Sequence, residues 1–312
     1  MSFPKRDKTP LKLTDDCDFP ILFAQYLSDE VNYARSLETG LKQGKDPEYN
    51  HQYRVALRRT RSLLLLLEDA LPPFEVRLLK KQLKVLMKQT NQLRDLDVFL
   101  LERPKYLQMA PQPPQAIADL FRLLSEQQRN EHQRVTHWLE SRHYTGVCMS
   151  VENSLKRSFA SDHELSEASS ATFARKNIAE HLAQVVTQCR QLNKDSPDDA
   201  IHALRIECKK LRYLLEFYSG VFTDQVHRLH ISQLKILQDK LGVFNDTSTQ
   251  IAFFEQQLQQ KQLPSPIRKA IKSLLKTTQH QHQDARVAII KQLKRYQQDI
   301  ENEALQSFYA AG

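Results

Sequence analysis

Basic residues recur at the same spacing in two segments of the chain. The first segment is His51-Gln-Tyr-Arg54-Val-Ala-Leu-Arg58-Arg59-Thr-Arg61, and the second is His202-Ala-Leu-Arg205-Ile-Glu-Cys-Lys209-Lys210-Leu-Arg212. Adding 151 to each His or Arg number of the first segment gives a basic residue of the second. Arg and Lys side chains bind phosphate oxygens, and a His can donate a hydrogen bond to the same group. The doubled segment therefore predicts a paired site for an anion.

A helix would place most of these residues on one face. At about 100° per residue, His51, Arg54, Arg58 and Arg61 fall within an arc of about 80°. His202, Arg205, Lys209 and Arg212 occupy the same arc in the second segment, whereas Arg59 and Lys210 lie outside it. Like charges four residues apart destabilise an isolated helix, so a bound anion is the natural compensation. The spacing predicts two amphipathic helices, each with a cationic stripe. In the first helix, Arg58 and Arg61 are predicted to bind the anion.

A second line of basic residues follows each segment. In the first half it comprises Arg77, Lys81, Lys84 and Lys88, which fall within about 60° of arc on a helix. In the second half only Arg228 and Lys235 keep this line, so the first half is predicted to attract anions more strongly. Tyr213 lies within about 20° of the second stripe and is a further candidate ligand-contacting residue.

Composition favours an all-helical protein. The chain has 312 residues with only 6 Gly and 40% hydrophobic residues, which favours helices over turn-rich sheets. Its formal net charge of +8 is typical of a protein with polyanionic partners. The scattered Cys17, Cys148, Cys189 and Cys208 indicate neither a disulfide framework nor a zinc site, and the sequence shows no signal peptide or membrane span. A cytoplasmic location is expected.

The order of apolar segments indicates an internal duplication. We predict a flexible tail over 1–18, a four-helix repeat over 19–158, a polar linker over 159–170 and a second four-helix repeat over 171–312. The predicted helices of the first half run from Phe19 to the Gly40–Gly44 region, from Pro47 to about Ala70, from Pro73 to about Leu101, and from about Ala116 to Tyr144. The second half repeats this plan, with one helix opened by Pro197 and another containing Gly242.

Other polar groups have weaker patterns. Glu48 and Asp199 each precede a stripe His by three residues, but the Arg and Lys that follow would repel a metal cation. Asp95 and Asp97 are a candidate acid–base or Mg²⁺ pair, and a structural role at a helix junction is the favoured alternative. The chain has no phosphate-binding glycine loop, nucleophile elbow or HExxH motif. We therefore expect no enzyme activity, no cofactor and no metal.

The residues of the doubled segment resemble the pattern of the CHAD family, the conserved histidine α-helical domain. A second family feature, a Leu-Gly-x-x-Arg-Asp-x-Asp-Val-like junction, is matched by Leu93-Arg94-Asp95-Leu96-Asp97-Val98. Asn91 stands where the pattern has its glycine, and the second half keeps Gly242 but has Asn245 and Ser248 in place of the Arg and the second Asp. The resemblance covers the chain from about residue 19.

This resemblance implies two four-helix bundles related by a pseudo-two-fold axis, with a basic central channel or cleft. It also implies binding of inorganic polyphosphate and association with polyphosphate granules. A triphosphate-tunnel catalytic domain is not expected in this chain. Two alternatives stay open at this point: a helical module that binds nucleic acid, and a scaffold or regulator for a separate phosphate-metabolising enzyme. Base stacking would require aromatic side chains beside the basic ones, and only Tyr213 is near the stripe.

Overall fold

The computed structural model describes residues 3–6, 19–109, 114–159, 170–222, 224–260, 263–300 and 308–309. Within these ranges every regular element is helical, as composition and apolar spacing predicted. Short 3₁₀ turns, Glu68–Ala70 and Tyr218–Gly220, follow α3 and α10. The α-helices are, in chain order, α1 (Phe19–Ser36), α2 (Glu38–Gln43), α3 (Glu48–Leu66), α4 (Pro73–Gln89), α5 (Asn91–Leu101), α6 (Arg103–Met109), α7 (Pro114–Leu139), α8 (Arg142–Phe159), α9 (Ser170–Gln191), α10 (Asp198–Phe217), α11 (Gln225–Leu258) and α12 (Ser265–Ile300).

The chain divides into two compact units. The first comprises Met1–Arg103 with Phe121–Ser169, and the second comprises Pro104–Leu120 with Ser170–Gly312. Residues 104–120 thus belong to the second unit, although residues 121–169, which follow them in the chain, belong to the first. Of the predicted tail over 1–18, only residues 3–6 are described, and most of the predicted linker over 159–170 likewise lies outside the described residues.

In the first unit, α1, α3, α4 and α8 pack in a ring. α1 contacts α3 and α8, and α4 contacts the same two helices. Each helix buries apolar residues at helical spacing, such as Phe23 and Leu27 on α1 and Leu57 and Leu64 on α3. This packing leaves the stripe residues of α3 other than Arg54 outside the core.

The second unit has the same ring, formed by α9, α10, α11 and α12. Leu204, Leu211 and Leu215 of α10 are fully buried, as is Leu241 of α11. Tyr106 of α6 belongs to this unit and is 1% exposed, with its ring edge-on to Phe254 of α11 at a centroid distance of 5.6 Å.

Several predicted helices are interrupted in the structure. The helix predicted over 116–144 ends at Leu139, and α8 starts anew at Arg142. Ser141 causes this break, because its Oγ accepts a hydrogen bond from the backbone N–H of Tyr144 at 3.1 Å, as an N-cap residue does. The helix predicted over 73–101 likewise divides at Thr90, and the first helix divides at Leu37.

Two fully buried histidines on α11 form hydrogen bonds to other elements of the second unit. His227 donates from Nε2 to the carbonyl oxygen of Leu215 at 3.0 Å and accepts the hydroxyl of Tyr309 at Nδ1, at 2.8 Å. His230 lies with Nε2 3.1 Å from the hydroxyl of Tyr296 on α12. Burial lowers the pKa of both imidazoles, that of His230 to about 3, so both are neutral at neutral pH.

Candidate functional site

The first cationic stripe lies on α3, as predicted. His51 and Arg58 are half-buried, and Arg61 is exposed. The side chains opposite them, such as Ala56 and Leu63, are buried in the unit's core. The helix is therefore amphipathic, and the guanidinium groups of Arg58 and Arg61 lie on its polar side.

Arg54 belongs to the same stripe but is held inside the protein. It is 8% exposed, and its Nη1 donates to Thr90 Oγ1 at 3.1 Å, to Asn91 Oδ1 at 2.6 Å and to the carbonyl oxygen of Met87 at 3.0 Å. Burial and the neighbouring Arg58 lower its pKa to about 10, which keeps it charged at neutral pH. These contacts join α3 to the α4–α5 junction, so Arg54 positions the stripe.

Arg59 and Lys210, which lie off the arc, each have a carboxylate partner. Nη1 of Arg59 is 3.6 Å from Oε1 of Glu30 on α1, a buried carboxylate that also pairs with Arg6. Nζ of Lys210 is 2.7 Å from Oε1 of Glu207 on its own helix. Both cations therefore have their charge offset within the protein.

The second basic line lies on α4, next to α3. Arg77, Lys81, Lys84 and Lys88 are all exposed, while Leu79 and Leu83 between them are buried. The side of α3 that meets α4 carries Arg54, because Arg54 donates to the carbonyl oxygen of Met87 on α4. The other stripe residues share an arc of about 80° with Arg54. On the opposite side of α4, Glu75 pairs with Arg157 of α8. The basic lines of α3 and α4 consequently border one surface of the first unit.

The second unit carries the corresponding surface on α10 and α11. The two helices run antiparallel, because Gln238 of α11 donates to the carbonyl oxygen of Cys208 while His227 meets that of Leu215. Arg228 and Lys235 of α11 are exposed. The stripe of α10 is half-buried and comprises His202, Arg205, Lys209 and Arg212.

Tyr213 is placed differently from the stripe residues beside it. It is 5% exposed, and the guanidinium of Arg212 lies 5.8 Å from the centre of its ring. Arg212 also lies 3.4 Å from the carboxylate of Glu216. The ring of Tyr213 is thus a packing partner of Arg212 and offers little surface for stacking on a base.

Arg94 contributes to the site although the stripe pattern did not include it. Burial lowers the pKa of His51, and the positive charges of Arg94, Arg58 and Arg54 lower it further. His51 is therefore neutral near pH 7 in the protein without a bound anion. The Arg-Asp-x-Asp junction was the signal in the sequence that could have added Arg94 to the site.

Asp97 has a structural position at the same junction. It is 4% exposed, and it accepts hydrogen bonds from Asn50 Nδ2 at 3.1 Å and from Gln128 Nε2 at 2.9 Å. Burial raises the pKa of Asp97 and also that of Asp95. Asp97 thus links α3, α5 and α7. In the part of the chain that the structure describes, no three His, Cys, Asp or Glu residues are grouped to hold a metal ion.

The comparisons with known proteins agree with this fold and motif. The model of the CHAD domain matches residues 25–255, and the chain belongs to the CHAD family. A crystal structure of the CHAD domain from the plant Ricinus communis is similar, with a TM-score of 0.78 and 21% identity, and the match covers 94% of this chain and 96% of that one. PptA from Streptomyces chartreusis is similar with a TM-score of 0.65 and 17% identity, over 87% of this chain and 98% of that one.

These solved structures support the fold alone, because their sequence identity to this chain is low. A search of curated proteins finds no match. Among the helices that the structure describes, none combines the length and the apolar character that crossing a bilayer requires.

Proposed function

We propose that this chain binds inorganic polyphosphate through the basic surfaces of α3–α4 and α10–α11, without catalysing a reaction. The observation that carries the proposal is the repetition of these surfaces. Each unit has a ring of long helices, and in each ring the helix with the His-Arg stripe packs beside a helix with a second basic line. Membership of the CHAD family supports the choice of polyphosphate among polyanions.

The proposal includes a duplicated architecture. The offset of 151 residues relates α3 to α10, and α4 to the first part of α11. Two four-helix bundles related by a pseudo-two-fold axis would bring the two basic surfaces to one central channel or cleft. A polyphosphate chain bound there would be held mainly by charge-assisted hydrogen bonds. Its retention should fall with salt, by the counterion release that governs nucleic acid binding.

The test is retention of long-chain polyphosphate by a variant with Arg58→Glu, Arg61→Glu, Lys209→Glu and Arg212→Glu. Retention should be lost. A matched control reverses four exposed basic residues of α12, a helix that carries neither basic line: Lys269, Lys272, Lys276 and Lys291. Each set lowers the formal charge from +8 to 0, since each reversal removes two charges. If both sets reduced retention equally, net charge would explain binding and the proposed surfaces would be wrong.

Two other functions follow from the same surfaces and are separated by competition. A polyphosphate binder should release single-stranded nucleic acid when long polyphosphate is added, whereas the reverse should require a large excess. Binding of a separate phosphate-metabolising enzyme, as a scaffold or regulator, is compatible with polyphosphate binding. Localisation at polyphosphate granules in the cytoplasm would be the cellular consequence.

A further inference from the structure

The first unit contains a cavity that the basic surfaces do not include. Its volume is about 250 Å³, slightly below the range of about 300–1,000 Å³ that is usual for drug-sized ligands. One part of its wall is apolar and includes Leu93, Leu100 and Pro47. The other part carries the side chains of Asp46, Asp97, Asn50, Gln128 and His132. The size suits a small organic molecule with an apolar body and one polar end.

The polar part of the wall has an excess of hydrogen-bond acceptors. Asp97 uses one oxygen for Asn50 and the other for Gln128, which leaves each oxygen able to accept again. Asn50 is 3% exposed, and its Oδ1 has no donor among the described residues. Because Nδ2 of Asn50 faces the Asp97 carboxylate, exchanging the two amide atoms would set two acceptors against each other. The carboxylate of Asp97 therefore keeps acceptor capacity for a ligand that supplies donors.

The charge of the wall is incompletely neutralised. Arg94 and His132 are the positive or titratable groups that act on Asp97, and they stabilise its charged form together with Asn50 and Gln128. Burial nevertheless outweighs them, since the pKa of Asp97 is raised. Asp46 adds a second carboxylate, which accepts the backbone N–H of Glu48 at 2.8 Å. A positively charged group would remove this imbalance.

We propose that this cavity binds a primary alkylammonium ion, with the ammonium group at the carboxylate of Asp97 and the alkyl chain against Leu93 and Leu100. An ammonium group has three donors and no acceptor, which matches a wall of acceptors. A divalent metal ion fits less well, because two carboxylates in an apolar-walled cavity supply few of the oxygen ligands that Mg²⁺ or Ca²⁺ requires.

The second half of the chain lacks this polar set. At the offset of 151 residues, Asn50 corresponds to Ile201 and Asp97 corresponds to Ser248. The basic stripe is kept in both halves, so the stripe does not require the acceptors. The second half lacks the acceptors at these positions, so anion binding by the duplicated surface does not account for them.

Gly44 allows the cavity wall to form. It has φ of 64°, in the left-handed region, and a Cβ at this position would lie 2.6 Å from Nε2 of His132. The ring of His132 can therefore approach closely, and it donates from Nε2 to the carbonyl oxygen of Leu41 at 2.9 Å. This contact fixes His132 as a wall of the cavity and leaves Asp97 as its charged centre.

Binding is tested on the full chain by titration with n-butylammonium chloride at constant ionic strength, without polyphosphate. Equilibrium binding is followed by calorimetry, and the Tm should rise by about 2–4 °C at ten times the dissociation constant. Asp97→Asn should abolish the saturable binding, because it removes the charge while keeping the side-chain shape. Leu100→Trp should also abolish it by filling the cavity. Glu126→Gln removes an exposed carboxylate from α7 and should leave binding unchanged.

1-Butanol, butyrate and MgCl₂ serve as ligand controls. Saturable binding of butylammonium alone, lost in Asp97→Asn and Leu100→Trp, is the expected result. The proposal is overturned if butylammonium does not bind, if 1-butanol or Mg²⁺ binds as well, or if Leu100→Trp retains full binding. Should Asp97→Asn fail to fold, Leu100→Trp decides the outcome. Because polyphosphate is absent, the result is independent of the proposed function.

Discussion

Nη1 of Arg54 lies 2.6 Å from Oδ1 of Asn91. The Asn91 side chain thus supplies one hydrogen-bond acceptor to a buried guanidinium. Thr90 and the carbonyl oxygen of Met87 supply the others. The stripe of α3 thus combines an arginine that anchors the helix with more accessible arginines that can meet a ligand.

Arg54 and Arg61 belong to one stripe, but their substitution should change the free energy of unfolding by different amounts. Arg54→Ala should lower the free energy of unfolding by about 2–4 kcal/mol, since hydrogen bonds of a charged group are lost and buried acceptors are left unpaired. Arg61→Ala should change it by less than about 0.5 kcal/mol, because Arg61 is exposed. Urea denaturation measures both. Equal stability of the two variants would show that Arg54 does not hold the junction.

Neighbouring arginines should also differ in their contribution to polyphosphate affinity. Arg58→Ala should weaken binding about tenfold, the effect of losing one charge-assisted hydrogen bond. Arg59→Ala should weaken it less than about threefold, because Glu30 already offsets the charge of Arg59. Fluorescence anisotropy with labelled polyphosphate gives both affinities. A larger loss in Arg59→Ala would place Arg59 at the ligand instead.

Binding of polyphosphate should strengthen as pH falls. The pKa of His51 is lowered in the unbound protein by burial and by Arg94, and a bound polyanion would raise it. Between these two pKa values the complex holds more protons than the free protein, so affinity increases by about two- to tenfold as pH falls from 7.5 to 5.5. His51→Gln should reduce this dependence. His143→Gln, an exposed histidine of α8, should keep it.

The buried histidines of α11 predict a loss of stability in acid. In the unfolded chain His230 has a pKa of about 6.5, and in the folded protein burial lowers it to about 3. Between these values the unfolded state binds more protons, so the free energy of unfolding falls as the pH drops below 6.5, by roughly 1 kcal/mol for each pH unit. The stabilisation is complete above pH 6.5. His230→Leu should make the decline between pH 6.5 and 4 shallower, whereas the exposed His280→Leu should not.

The sequence predicted the helices that carry the stripes because their apolar and basic positions have a clear helical period. It did not predict the break at Ser141, because Ser141 caps α8 without the Glu or Gln that completes a recognisable capping box. The sequence also contains no indication that residues 104–120 pack with the second unit. Helical periodicity contains no information about which distant segment a short helix such as α6 will pack against.

The roles of individual site residues were less predictable. Arg54, Arg58 and Arg61 share one arc, so spacing alone treats them alike. Only the approach of Thr90 and Asn91, about 36 residues later in the chain, distinguishes Arg54. Asp97 could be placed at a junction from its motif. Its pairing with Asn50 depends on how α5 packs against α3, which the sequence does not encode locally.

The position of Tyr106 has a consequence during synthesis of the protein. Its ring packs against Phe254, which the ribosome adds about 150 residues later. At about 5–20 residues per second, this delay is on the order of ten seconds. During that interval α8 can complete the first unit, while the contact between Tyr106 and Phe254 cannot yet form. The packing of α6 against α11 is therefore a late event in the synthesis of the chain.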